Sequence, residues 1–500
     1  MHICRTTPGG RSLFNGKDGE LLPGFGIRFV YYRDGIGNVA QAEKRSSEQN
    51  LHTGSNRSLR VRRLPIYENE HPGETQGRSG HAFTGNRAPR GASPKGRKTN
   101  TPNAGFESLS DPSVLVIGGG PAGLRAAEIV TRRGVQTKLY EQKASPGRKF
   151  LVAGRGGLNV THSEPFEDFV TRYDSPERWR KLLKNFSPSD LRTWFTELGI
   201  ETFVGTSGRV FPRNIRTPNV LEKWLDRLDG MGCDIQVGRR FHQILGSGPY
   251  EVVFQRGSDF ELVSADGVIF CLGGASWPQT GSDALWIPEF ERLRIKVRQF
   301  IPANVGWETP WSKEFLKVAE GKPLKNLEVR SGGHTVRGEL VITEYGLEGG
   351  ALYQLTRELR SSPQIVIDFK PEISEPELRA RWKEPNDLHA GAMRSWKLST
   401  AAIAVIEETS APKTVDALIA ATKKCVINLT RPRPIEEAIS SAGGIPWEEF
   451  NDDLMLKAWP GMFCAGEMID WEAPTGGYLL QGCFVTGTIA GLGAVKWAKR

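Results

Sequence analysis

The feature that most narrows the folds open to this 500-residue chain is a contiguous strand, glycine turn, helix, strand and acid between Ser113 and Glu141. Ser113 to Ile117 is a short apolar, partly β-branched run, the pattern of a fully buried parallel strand. It leads directly into Gly118-Gly119-Gly120-Pro121-Ala122-Gly123, after which Leu124 to Arg133 carries an Ala-rich helical pattern. Gly134 supplies a helix stop, and Gln136 to Glu141 reads as the next strand. In this context Gly118 allows a tight turn, Gly120 lets the backbone approach a pyrophosphate, and Gly123 lets the helix pack close to the strand. The free amides and the dipole of the helix N-terminus, with Pro121 and Ala122 in its first turn, then hold phosphates. Glu141 stands where an acid that bonds a ribose hydroxyl belongs, about 20 residues beyond the glycines. An acid at that point argues against a 2′-phosphate, so FAD and NAD both fit and NADP fits poorly.

Length allows two or three domains of roughly 100 to 200 residues each. The apolar fraction of 38% is low for a chain folded throughout, and the deficit lies at the beginning. Residues 1–110 are rich in Gly, Ser, Pro, Asn and Arg and carry a net charge of +8, against +9 for the whole chain. They read as a disordered basic extension in which only Leu21 to Tyr32 offers a short strand, or as an over-extended start. A basic tail can bind nucleic acid or anionic membrane without base specificity, but the near-neutral remainder gives no electrostatic reason for a polyanionic substrate, and no specific nucleic-acid partner is expected.

Six cysteines are scattered without a close pair, so neither a metal site nor a CxxC redox centre is read from them. No run of about 18 apolar residues and no secretory signal stand out, so no membrane span and a cytoplasmic location are expected. A transit peptide fits poorly, because Glu43, Glu48, Glu68, Glu70 and Glu74 interrupt the basic leader.

Val114 to Gly123, the stretch Gly147-Arg148-Lys149-Phe150-Leu151-Val152-Ala153-Gly154-Arg155-Gly156-Gly157-Leu158-Asn159-Val160-Thr161-His162, and the C-terminal Cys464 to Asp470 and Thr475 to Gly482 resemble a bacterial family of FAD-dependent flavoproteins. Its members are labelled NAD(P)/FAD-dependent oxidoreductases or aminoacetone oxidase family FAD-binding enzymes and are related to BaiN/RdsA-type flavoproteins. The resemblance covers nearly everything after residue 111. It implies an α/β fold: a Rossmann-like FAD-binding domain of the two-dinucleotide-binding type with an inserted β-rich cap. On this reading residues 111–301 and 434–500 form the FAD-binding domain and 302–433 the cap.

The residues agree with that role. Arg148, Lys149 and Arg155 among Gly147, Gly154, Gly156 and Gly157 make a flexible cationic surface suited to a pyrophosphate and ribityl chain, although an ordinary basic loop has the same composition. Asp266 to Leu272 is an apolar strand ending at Gly273-Gly274. Met462 to Ala465 is another, ending at Gly466-Glu467 and followed by a helix start at Gly476-Gly477-Tyr478. The resemblance implies that Glu467 faces the ribityl hydroxyls and that this helix points toward the flavin, where its dipole favours negative charge on the reduced ring. An NAD enzyme does not need this C-terminal return, which favours FAD.

Thr343 to Gly350 resembles a family segment that reaches the flavin edge, and a surface hairpin suits it equally. Relatives carry Arg-Cys where this chain has Gly157-Leu158, and Asn where it has Leu479, so chemistry resting on that cysteine does not transfer.

The flavin carries the electrons, so few conventional catalytic side chains are expected and none is assigned. His162 is a candidate proton donor or a packed histidine. Trp277, Trp471 and Tyr478 are aromatic residues that either stack on flavin or substrate or pack against the glycine turns. No second dinucleotide fingerprint follows another strand. The expected activity is therefore oxidation or reduction of a small organic molecule, with NAD(P)H or oxygen as electron partner. An FAD-dependent RNA-modifying enzyme and a non-enzymatic FAD-binding redox sensor are the alternatives.

Overall fold

The computed structural model describes residues 113–246, 248–383 and 387–500, together with the strands Phe29–Arg33 and Val39–Glu43. The chain divides into two compact units, Met1–Gly105 and Phe106–Arg500. In the first, the described part is an antiparallel hairpin in which Tyr31 opposes Gln41. The rest of the extension expected to be disordered lies outside the described residues.

The second unit is built on a parallel five-stranded sheet with strand order Met462–Cys464, Gly267–Phe270, Ser113–Ile117, Gln136–Glu141, Asp234–Val237. Val116 pairs with Leu139 on one side and Ile269 on the other, so the central strand is flanked by hydrophobic neighbours and has no solvent face. This is why a short unalternating apolar run suffices to form it. The parallel order requires crossovers, and helix Pro121–Arg132 makes the first. An antiparallel meander, Arg240–Leu245, Tyr250–Arg256 and Asp259–Ala265, leads from the edge strand back to the centre.

The chain leaves this body through Arg298–Ala303 and returns through Ser440–Gly444, and the two segments pair antiparallel. Between them lies a six-stranded antiparallel sheet running from Trp307 to Asn428, with a hydrophobic cluster of its own around Leu327, Val329, Leu340, Ile365 and Ile406. The segment read as β-rich also holds seven helices among its described residues. Their Ala-rich apolar faces, as in Thr400–Ser410, cover that sheet. Thr343 and Gly346 close a hairpin between two of its strands.

The C-terminal helix Tyr478–Ala498 has a mean hydropathy of 1.4 over its most apolar window, long and apolar enough to span a membrane by composition. That qualifies the expectation that no such run exists. In the fold 83% of the window is buried, because the helix lies along Pro121–Arg132. Gly487 and Gly491 allow the approach: a Cβ on Gly487 would stand 2.4 Å from the Ala122 carbonyl oxygen, and one on Gly491 2.9 Å from Ile129 Cβ. Its apolarity is therefore that of a core element.

Candidate functional site

The glycine turn, the end of the second strand and the C-terminal turn meet at a cleft of ≈ 270 Å³. Gly118 has φ +107°, and a Cβ there would lie 2.2 Å from the Cys271 carbonyl oxygen, so the turn tolerates only glycine. A Cβ on Gly123 would fall 1.8 Å from the Gly118 carbonyl oxygen, which places this glycine at the helix–strand contact rather than in the cleft. Gly120 has nothing within 4 Å of such an atom and faces open space. The buried Glu141 carboxylate accepts from Gly119 N–H and Lys143 N–H, both at 2.7 Å. Burial pushes its pKa up, and the two backbone donors oppose the shift.

Helix Arg148–Ala153 delivers two cations to the wall, starting from Gly147 at φ +72°. Lys149 Nζ donates to Glu467 Oε2 at 2.6 Å and to Ser276 Oγ at 2.7 Å, joining three segments distant in sequence. Arg148 makes no ion pair among the described residues, so its charge is available to a phosphate. Pro121, Ala122, Gly273 and Gly466 complete the part of the lining that sequence reasoning named.

The other named positions stand outside that lining. Gly154 packs against Thr217, whose Oγ1 would lie 2.0 Å from an added Cβ, and an added Cβ on Gly274 would lie 2.1 Å from Ser441 Oγ. Gly477 is closed in by the Thr161 backbone, Gly476 by the Tyr478 ring, and Gly156 faces open space. Tyr478 donates to Glu164 Oε1 at 2.5 Å, and its ring packs on Phe169. Trp471 is buried, with its indole N–H on the Gly466 carbonyl at 2.9 Å. His162 has both ring nitrogens engaged: Nδ1 accepts from Glu164 N–H at 3.1 Å, and Nε2 lies 3.0 Å from the Ser207 carbonyl. That pairing ties both ring nitrogens to the local backbone.

Sequence reasoning missed two walls. Arg239, Arg240 and His242 enter from the start of the meander, and Thr280 to Trp286 form a loop across from them. Arg240 and Asp283 bridge the two at 3.6 Å. Neither stretch carries a glycine fingerprint. The one local signal is that Arg239 follows the edge strand directly, its N–H donating to the Glu141 carbonyl at 2.9 Å. Ser282 Oγ in this loop is buried without a hydrogen-bond partner, an acceptor and donor left for something in the cleft.

Open space at Gly120, the uncommitted Arg148, the unpaired Ser282 hydroxyl and the carboxylate at the second strand fit the adenosine diphosphate half of a dinucleotide. Beyond them, Lys149 and Glu467 are 22% and 13% exposed, so their charges are largely withdrawn from water but still reachable from the cleft.

Comparison with known proteins gives a family match over residues 112–493, to the HI0933-like protein Rossmann domain. The chain is 26% identical over 408 residues to the 3-dehydro-bile acid delta(4,6)-reductase of Clostridium scindens, covering 76% of this chain and 98% of that protein. It is 21% identical over 389 residues to the ribosomal RNA dihydrouridine synthase of Escherichia coli, covering 73% and 94%. Among solved structures, the 3-ketosteroid-delta4-(5alpha)-dehydrogenase of Rhodococcus jostii RHA1 aligns at 14% identity with a TM-score of 0.41, covering 78% of this chain and 98% of that one.

Proposed function

This chain belongs to the HI0933-like Rossmann family and is an FAD-dependent oxidoreductase, and from that premise we propose that it acts on a small organic substrate and how its residues serve the reaction. Gly118, Gly120, Pro121 and Ala122 receive the pyrophosphate, with Arg148 as counter-charge. Glu141 takes the adenosine ribose, and Lys149, Glu467 and Gly466 flank the ribityl chain. Gly273, Gly274, Gly476 and Gly477 keep the surrounding turns tight enough for the ring to enter. The remaining glycines, Gly123, Gly154 and Gly156, together with Tyr478, shape the walls from behind. When bound, FAD supplies the electron transfer; the chain supplies orientation, charge and exclusion of water.

The observation that carries this reading is the Gly120 position, where the turn leaves its Cα face open to the cleft while its neighbours Gly118 and Gly123 are closed by backbone. Residues 302–433 serve as the cap, supported by their separate hydrophobic cluster. A second cavity of ≈ 170 Å³ lies at the junction, lined by Asn304, His334 and Arg357 from the insert side and Glu472 to Pro474 from the C-terminal turn. Substrate approaches by this junction. NAD(P)H or oxygen serves as the electron partner, and the free thiols among the described residues suit the reducing cytoplasm.

The purified protein is expected to show an oxidised-flavin absorption spectrum, bleached by NADH or NADPH without oxygen or by substrate. Absence of flavin even after reconstitution with FAD would sink the reading. The similarity to the dihydrouridine synthase makes RNA the second candidate substrate. It predicts that a chain without residues 1–110 still binds structured RNA at physiological salt, which the near-neutral body argues against.

A further inference from the structure

Trp277 sits in the left-handed region at φ 61° and ψ 59°, immediately before Pro278. A bulky L residue avoids this conformation, because its Cβ crowds the following carbonyl. The surrounding turn holds it there: Thr280 N–H and Oγ1–H donate to the Trp277 carbonyl at 2.9 and 2.7 Å. Ala275 N–H is bonded to Ser441 Oγ at 3.1 Å, and Ser276 Oγ accepts from Lys149. Backbone strain kept in place by several bonds points to a role for the residue held there.

The indole of Trp277 makes no hydrogen bond or ring contact among the described residues, and it belongs to neither hydrophobic cluster. Trp471 and Tyr478, the other aromatic residues beside glycine turns, are both buried and partnered. Trp277 alone of the three is half-buried. Trp277 is not itself among the residues that line the cleft; it stands in the turn between Gly273 and Thr280, which do line it, next to the serine that Lys149 ties to Glu467.

Resting on the FAD reading above, we infer that Trp277 stacks on the isoalloxazine ring of the bound cofactor. An indole is the side chain with the largest conjugated face for a planar ring.

The test uses the full chain as apoprotein, reconstituted with FAD, in wild-type, W277L, W277Y and W277G forms. A stacked indole or phenol quenches flavin fluorescence by electron donation. W277L should therefore bind a flavin several-fold brighter than wild type, with an FAD Kd raised about five-fold, whereas W277Y should stay dim. W277G accepts φ 61° without strain, so its apoprotein should melt at the wild-type temperature or above it, separating ring contact from folding. If W277L binds FAD as tightly and as dimly as wild type, the stacking is overturned while the FAD reading stands. If wild type takes up no FAD, the FAD reading itself fails and the inference with it.

Discussion

Gly120 and Gly123 stand three positions apart in one turn and answer different demands. Gly120 has φ −75° and ψ 179°, a conformation any L residue adopts, and a methyl group there would meet no protein atom. Gly123 has no such freedom, because its added methyl would overlap a backbone oxygen that no side-chain movement can clear. Gly120→Ala should therefore leave the apoprotein's melting temperature unchanged and weaken FAD binding at least about ten-fold, near 1.4 kcal/mol. Gly123→Ala should lower stability by about 1–3 kcal/mol through overpacking and lose FAD as a consequence. Thermal melts of both apoproteins, followed by FAD titration, check the pair; a Gly120→Ala protein that melts early but binds FAD normally would contradict it. The glycine spacing was legible in the sequence, and so were the types of role. How closely Gly118 and Gly123 are shut in by backbone, and that Gly120 is not, needed the positions of Cys271 and the turn carbonyls.

At the scale of one element, helix Pro121–Arg132 serves two masters. Its first turn borders the cleft, while Glu128 on the same helix is fully buried. That carboxylate accepts from the indoles of Trp194 at 2.9 Å and Trp224 at 3.2 Å. It also pairs with Arg125 at 3.3 Å, Arg132 at 2.9 Å and Arg227 at 3.2 Å. One acid thus satisfies two buried indoles and three guanidiniums contributed by three helices. Desolvation lowers the pKa of Arg125, and Glu128 is the group that opposes it. Glu128→Gln should cost about 3–5 kcal/mol, because it leaves buried cations without their counter-charge. Urea denaturation measures it, and a loss below about 1 kcal/mol would show the network to be dispensable. Nothing in the Ala-rich helical pattern announces this centre, since three of its five partners, Trp194, Trp224 and Arg227, lie 66 to 99 residues further along the chain.

Across the whole molecule, two of the ties between the inserted segment and the nucleotide-binding body stand out, beside the bonds of the Asn304 side chain with Ala473 and Thr475. The paired strands Arg298–Ala303 and Ser440–Gly444 form one. Glu472 forms the other, accepting from Arg357 Nε at 3.0 Å and Arg360 Nη2 at 2.9 Å. The body so assembled begins at Phe106. A chain of residues 106–500 should keep the melting temperature and FAD affinity of the full protein while losing its retention on heparin at low salt, since residues 1–110 carry nearly all the net charge. Calorimetry and salt elution of the two forms decide it; a truncated chain that melts markedly earlier would show that the first unit supports the second.

The sequence by itself determined the dinucleotide unit, because strand, turn, helix and acid are local patterns whose geometry is set within about 30 residues. The apolar strands that stop at Gly273 and Gly466 were also legible, and both glycines line the cleft. Only the tertiary structure decided which meander residues close the cleft, why an apolar C-terminal helix is a core element, and which of three aromatic residues is left half-buried. Those outcomes depend on contacts between segments more than 100 residues apart, such as Lys149 with Glu467 and Gly487 with Ala122, and no local periodicity records them.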